Sequence, residues 1–163
     1  EKDNSHLDTG IFGTRKLIEV LSQSEEGLEL VYDILHQTTY PSFGHQIVGR
    51  DATTAWEQWY HLRGMMTCSH SMFVGIGADF YKVFAGIVNA ENMYKKVYIK
   101  PVAPEKMTSV NCSLDTPRGL FKVNWEKVNG EFKLSVKIPA NCSATVEMPN
   151  GDKTEIGSGE YEF

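Results

Sequence analysis

Phe121-Lys122-Val123-Asn124-Trp125-Glu126-Lys127-Val128-Asn129-Gly130-Glu131-Phe132-Lys133-Leu134-Ser135-Val136-Lys137-Ile138 decides the fold class of the second half of this chain. Phe121, Val123 and Trp125 alternate with Lys122, Asn124 and Glu126. Phe132, Leu134, Val136 and Ile138 alternate with Lys133, Ser135 and Lys137. Successive side chains of a strand point to opposite faces, so each run offers one face to a core and one to water. Asn129-Gly130 between the runs tolerates the positive φ of a tight hairpin turn. Further strands are expected at 94–100, 108–115, 143–148 and 154–162, with Asn150-Gly151 as a second turn. The simplest assembly of these strands is an antiparallel β-sandwich over residues 93–163.

Upstream of Asn89-Ala90-Glu91-Asn92 the apolar period lengthens from 2 to about 3.6, the helical value. Ile11, Leu17, Ile18, Val20 and Leu21 recur at helical intervals. Ser24 is a candidate N-cap, followed by Glu25 and Glu26 where the helix dipole favours anions. The helix it opens carries Leu28, Val31, Ile34 and Leu35 on one face and is expected to stop before Pro41. The spacing predicts a loop over 44–49, a short helix from Thr53 or Thr54, and a fourth helix over 71–88 despite Gly75 and Gly77. The fold class is therefore α+β and multidomain: helical hairpins over residues 1–90, then the sandwich.

Of 163 residues, 41% are hydrophobic and 23% charged, with a net charge of −5, an ordinary globular composition. The first 92 residues carry six Lys/Arg and twelve Asp/Glu, and the remainder ten and nine. Neither half has the basic patch of a nucleic-acid binder. No apolar run reaches the ~18 residues of a membrane span. The three cysteines, Cys68, Cys112 and Cys142, do not make a disulfide framework, although Cys112 and Cys142 could pair if their strands are neighbours. His61, Cys68 and His70 form neither a His-Glu-x-x-His nor a Cys-x-x-Cys pattern, so no metal is expected. No glycine-rich phosphate loop or serine nucleophile elbow is visible, and no cofactor is expected.

The stretch with the most chemistry is Ala52-Thr53-Thr54-Ala55-Trp56-Glu57-Gln58-Trp59. It frames one carboxylate with two indoles. A carboxylate can move protons at a glycosidic bond, and indoles offer a sugar an apolar face and a polar edge. Equally, the same residues suit an amphipathic segment with Trp56 and Trp59 in a core and Glu57 in solvent.

Four stretches in order carry a more specific signal: Leu7 to Thr14, Thr39-Tyr40-Pro41-Ser42, residues 52–59, and the segment from His70 to Tyr81. Together they resemble the end of the catalytic domain of bacterial α-L-rhamnosidases, glycoside hydrolase family 78. Val97-Tyr98-Ile99-Lys100-Pro101 and Ile138-Pro139-Ala140-Asn141 resemble its closing β-domain. The resemblance implies that the helices belong to an (α/α)6 barrel, a ring of six helical hairpins. Four helices cannot close such a ring, so the chain is expected to be a C-terminal fragment of a larger bacterial enzyme, cytoplasmic or secreted/periplasmic.

The resemblance also implies roles. Glu57 would be the general base that activates water in an inverting hydrolysis of rhamnose-containing glycosides. His70 would contact the sugar, with capping or core packing as the alternative. Trp56 and Trp59 would line the sugar pocket or pack the barrel wall. The general acid would come from an earlier part of the barrel, because Asp8, Asp51 and Asp79 do not stand in the family's acid motif. Ser69, where the family usually has asparagine, and Ala78-Asp79, where it commonly has glutamate-tryptophan, mark departures in the neighbouring subsite. The isolated chain is expected to be inactive. It is also expected to self-associate through apolar faces carried by Leu28, Val31, Ile34, Phe73, Ile76 and Phe80, which would lack the missing N-terminal part of the barrel. A six-hairpin glycosidase of other sugar specificity and a non-catalytic carbohydrate-binding or scaffolding module are the competing readings.

Overall fold

The computed structural model describes residues 4–7, 9–60, 67–91 and 93–163. Asp8, His61 and Asn92, named above, lie outside the described residues. The chain divides into two compact units, Glu1–Asp79 and Phe80–Phe163. The first is helical and the second is built of two sheets.

In the first unit, α1 (Ile11–Leu21) and α2 (Glu25–His36) pack on one another. The α2 start is as the sequence suggests: Ser24 Oγ accepts from the Gly27 N–H, and Glu25 and Glu26 occupy the first turn. Residues 44–49, expected to be a loop, are instead most of a third helix, α3 (Phe43–Arg50). Ser42 opens it, its Oγ accepting from the His45 N–H. Gly44 serves close packing there, because a Cβ at that position would sit 2.1 Å from the Gln37 carbonyl oxygen. Leu7, Ile34, Trp59 and Phe73 form the centre of the helical core, with Ile11, Leu17, Leu30, Phe43 and Ala55 packed against them.

Two other helix expectations are corrected. Residues 51–60 are not helical, because their backbone groups bond to distant partners rather than along the chain. The expected helix over 71–88 is broken into α4 (Ser71–Val74), α5 (Gly77–Asp79) and a π-helical turn, Phe80–Phe84. Gly86 then turns the chain at φ +71°, and a Cβ there would meet the Lys100 carbonyl carbon at 2.1 Å. Ile87 and Val88 consequently start a strand. Of the apolar faces expected to lack partners, Leu28, Val31, Ile34 and Phe73 are buried and Ile76 partly so, whereas Phe80 is 46% exposed as expected. In this unit the exposed large apolar side chains are others, including Phe12, Val20, Ile47, Val48 and Val74.

The second unit contains β1 (Ile87–Glu91), β2 (Lys96–Ile99), β3 (Ser109–Thr116), β4 (Gly119–Val128), β5 (Glu131–Ile138), β6 (Ser143–Glu147), β7 (Lys153–Ile156) and β8 (Gly159–Glu162). Two four-stranded sheets result, with orders β1-β2-β6-β7 and β3-β4-β5-β8. The β4–β5 hairpin pairs Trp125 with Leu134 and Val123 with Val136 across the Asn129-Gly130 turn, in the register the alternation requires. Both sheets contribute their buried faces to one core, from Val97, Ile99, Ala144 and Val146 on one side to Phe121, Val123, Trp125 and Val136 on the other. One ladder departs from the antiparallel expectation: β2 and β6 are parallel. The single strand expected over 154–162 is two strands in different sheets, divided at Gly157-Ser158. The three thiols are unbridged, and burial pushes that of Cys112 up.

Alternation places Tyr98 and Glu147 on the face of their sheet opposite the core. There the Glu147 carboxylate accepts from Lys100 Nζ at 2.6 Å, from the Tyr98 hydroxyl, and from Lys153 Nζ at 3.0 Å. These partners lower its pKa from 4.5 to about 2. A group that ionises more readily in the folded state stabilises the fold fully above its unfolded value. That contribution is lost as pH falls through the folded value, here between about pH 4.5 and 2. Glu155, beside Thr145 and Lys96, and Glu160, beside Lys137, are shifted the same way. Glu147→Gln should therefore flatten, without abolishing, the fall in urea midpoint on acidification. Equal acid limbs for variant and parent would show that the cluster does not couple to folding.

Candidate functional site

The candidate site is built on α3 and the two irregular segments packed beside it. A cis Tyr40-Pro41 bond leads into Ser42, whose hydroxyl also donates to the Thr39 carbonyl at 2.8 Å. Tyr40 is half exposed, its ring edge-on to His45 at 5.7 Å. Phe43 turns inward, edge-on to Trp59 at 5.0 Å and to Phe73 at 5.7 Å. At the other end of α3, Asp51 closes the helix in the left-handed region, φ +54°, and the Ala52 N–H returns to the Gln46 carbonyl at 2.9 Å.

The segment 52–59 then runs as an irregular, bent stretch hydrogen-bonded to α3 and to residues 67–70. Thr54 Oγ1 donates to the Cys68 carbonyl. The His70 N–H donates to the Ala55 carbonyl at 2.9 Å, and the Glu57 N–H to the Thr67 carbonyl at 3.0 Å. The Thr67 N–H donates in return to Glu57 Oε2 at 3.0 Å. Glu57 is half-buried, so its carboxylate is directed by a backbone donor while part of the side chain stays accessible. Such an arrangement fixes a proton acceptor in one orientation.

Both flanking indoles are 9% exposed. Trp59 lies in the helical core against Phe73 at 4.7 Å, and its Nε1–H donates to the Thr9 carbonyl at 2.8 Å. Its burial and hydrogen bond account for a packing role. His70 caps α4: its Nδ1 accepts from the Met72 N–H at 3.3 Å. A neutral ring accepting at Nδ1 carries its proton on Nε2, a donor of the kind a hydroxyl group can use. Asp51 is at the helix end just described and Asp79 is buried in α5. Among the described residues no group of three or more His, Cys, Asp or Glu side chains stands together in a way that could hold a metal ion. Among them, too, no helix is long and apolar enough to cross a membrane.

Two contributors escaped the sequence reading. Thr67 acts through its backbone, which leaves no side-chain signature. Gln46 is 1% exposed, and its amide reaches the 56–58 backbone. Its signal was a polar residue followed by Ile47 and Val48 in a glycine-flanked stretch, which reads as loop when Ser42 is not seen as a cap.

Comparison with known proteins gives consistent matches along the chain. The family model of the bacterial alpha-L-rhamnosidase 6 hairpin glycosidase domain matches residues 1–84. That of the bacterial alpha-L-rhamnosidase C-terminal domain matches residues 86–162. An alpha-L-rhamnosidase of Formosa agariphila is 34% identical over 171 residues, spanning 100% of this chain and 18% of the relative. The crystal structure of an α-L-rhamnosidase from Aspergillus terreus superposes with a TM-score of 0.88 at 28% identity, covering 99% of this chain and 20% of that one. The Streptomyces avermitilis α-L-rhamnosidase complexed with L-rhamnose gives a TM-score of 0.86 at 26% identity, covering 99% and 18%. The chain thus spans about a fifth of the length of the proteins it matches.

Proposed function

The chain belongs to the bacterial α-L-rhamnosidase family, and from that premise we propose that it forms the C-terminal part of an enzyme that hydrolyses terminal α-L-rhamnosides with inversion of configuration. Residues 1–84 would be the last hairpins of an (α/α)6 barrel and residues 86–162, which include the strand β1, the β-domain that closes it.

Glu57 is the general base in this reading, taking a proton from the water that attacks the anomeric carbon. The observation that carries it is the half-buried Glu57 carboxylate, directed by the Thr67 N–H within the irregular 52–59 segment. The general acid stands on an earlier part of the barrel, roughly 6.5–9.5 Å from Glu57 to leave room for that water. His70, with its proton on Nε2, donates to a sugar hydroxyl. Trp56 and Trp59 form the apolar wall behind it. Exposed Phe12, Ile47, Val48 and Val74 are where preceding helices would pack, so the chain on its own self-associates and, lacking the acid, does not turn over.

The test is hydrolysis of an aryl α-L-rhamnoside by the complete protein, followed by NMR of the first-formed sugar. The expected product is the β-anomer, released by the complete protein and not by residues 1–163 alone. Release of the α-anomer would sink the inverting assignment. Cleavage of other glycosides in its place would favour a six-hairpin enzyme of different specificity.

A further inference from the structure

We infer that Gln46 is a positioning residue for Glu57: one fully buried amide holds the peptide groups on both sides of the carboxylate-bearing residue. The inference rests on the reading of Glu57 as general base. Gln46 Oε1 accepts from the Trp56 N–H at 3.4 Å, and its Nε2 donates to the Gln58 carbonyl at 2.9 Å. The partners fix the amide orientation, since an N–H can only donate and a carbonyl can only accept. The same residue's backbone carbonyl accepts from the Asp51 and Ala52 N–H groups, at the start of the loop. A single side chain and its own peptide therefore hold the loop at its beginning and on either side of Glu57.

Glu57 itself is tied from the opposite side, by its reciprocal pair with Thr67. The clamp stands on a firm base, because α3 is capped by Ser42 and lies close against Gln37 at Gly44. At 1% exposure water cannot replace either amide bond without entering the core. Removing the amide leaves the Trp56 N–H and the Gln58 carbonyl without this partner and lets the 56–58 backbone shift. A misplacement of about 1 Å at a reacting group costs on the order of 10²-fold in rate.

The experiment uses the complete enzyme and an aryl α-L-rhamnoside. Gln46→Met keeps the volume and removes both hydrogen bonds. It should lower kcat by about 10²-fold with KM little changed, and the Gln46→Met/Glu57→Gln double variant should be no slower than Glu57→Gln alone, as for residues acting as one unit. Gln46→Glu supplies a second readout. While protonated, its carboxyl can accept from Trp56 and donate to Gln58 as the amide does. Once ionised it faces the Gln58 carbonyl with a second acceptor. Its pH–rate profile should gain a further inflection, with turnover falling as pH rises, beside the limb that the general acid already gives the parent.

A Gln46→Met enzyme with near-parental kcat, or losses that simply add in the double variant, would overturn the positioning role. If Gln46→Met does not fold, a Gln46→Glu profile superimposable on the parent's would overturn it instead. Near-parental turnover by Glu57→Gln would be a different failure, that of the base assignment on which the inference stands.

Discussion

Glu57→Gln in the complete enzyme should lose about 10²–10⁴-fold in kcat, the usual contribution of a positioned general base. Glutamine keeps the side-chain length, and its carbonyl oxygen can still accept from the Thr67 N–H that now holds Oε2 at 3.0 Å. The loop should therefore stay in place, with KM and the circular dichroism spectrum close to those of the parent. Only the ability to take a proton from water is lost. Azide, a nucleophile that needs no deprotonation, should restore part of the turnover. A variant within a few-fold of the parent would mean that Glu57 only ties residues 55–57 to residues 67–70, and the candidate site would have to be sought elsewhere.

Trp125→Ala should cost about 3–5 kcal/mol of stability in the β unit, the range for truncating a large buried aromatic. Trp125 is 2% exposed, lies against Phe132 at 5.2 Å, and its Nε1–H donates to the Phe84 carbonyl at 2.7 Å. It thus joins the centre of β4 to the turn that precedes β1. With a urea slope of about 1–3 kcal/mol/M, the midpoint should fall by a molar unit or more, read by far-ultraviolet circular dichroism. Trp125→Phe should fall between, keeping most of the packing but leaving the Phe84 carbonyl without this donor. A midpoint shift of only a few tenths of a molar unit for the alanine variant would show that the core repacks around the gap.

The elements legible in the sequence are those whose causes are local. Ser24 with Glu25 and Glu26 marks α2, and Asn129-Gly130 between alternating runs marks the β4–β5 hairpin with its register. Elements set by distant partners were not legible. Residues 51–60 have helical composition, but Gln46, Thr67 and Cys68 take their hydrogen bonds. The stretch from Gly44 to Gly49 reads as a loop in the sequence, whereas Gly44 is required there by the approach of Gln37 to α3. The chain from 71 to 88 has helical periodicity, yet it forms only short helical pieces and, past Gly86 at φ +71° against Lys100, a strand. At the candidate site the same division holds. Glu57 and His70 stand out by motif, while the function of Gln46 depends on which backbone happens to pass its amide.

The parallel pairing of β2 with β6 has a consequence for the order in which the β unit assembles. β3, β4 and β5 are successive hairpin neighbours, so their contacts close short loops and form early. Lys96 and its partner Ser143 instead enclose that whole three-stranded meander, and the entropy of closing the loop must be met before the pairing is rewarded. β7 can add only after β6 has docked, since β6 is its neighbour in the sheet. During synthesis, then, a ribosome that has not yet released residues beyond 143 carries a formed meander beside an unfinished sheet. The edges of β2 and β5, later covered by β6 and β8, are bare in that interval, and there the nascent chain is most exposed to pairing with another copy of itself.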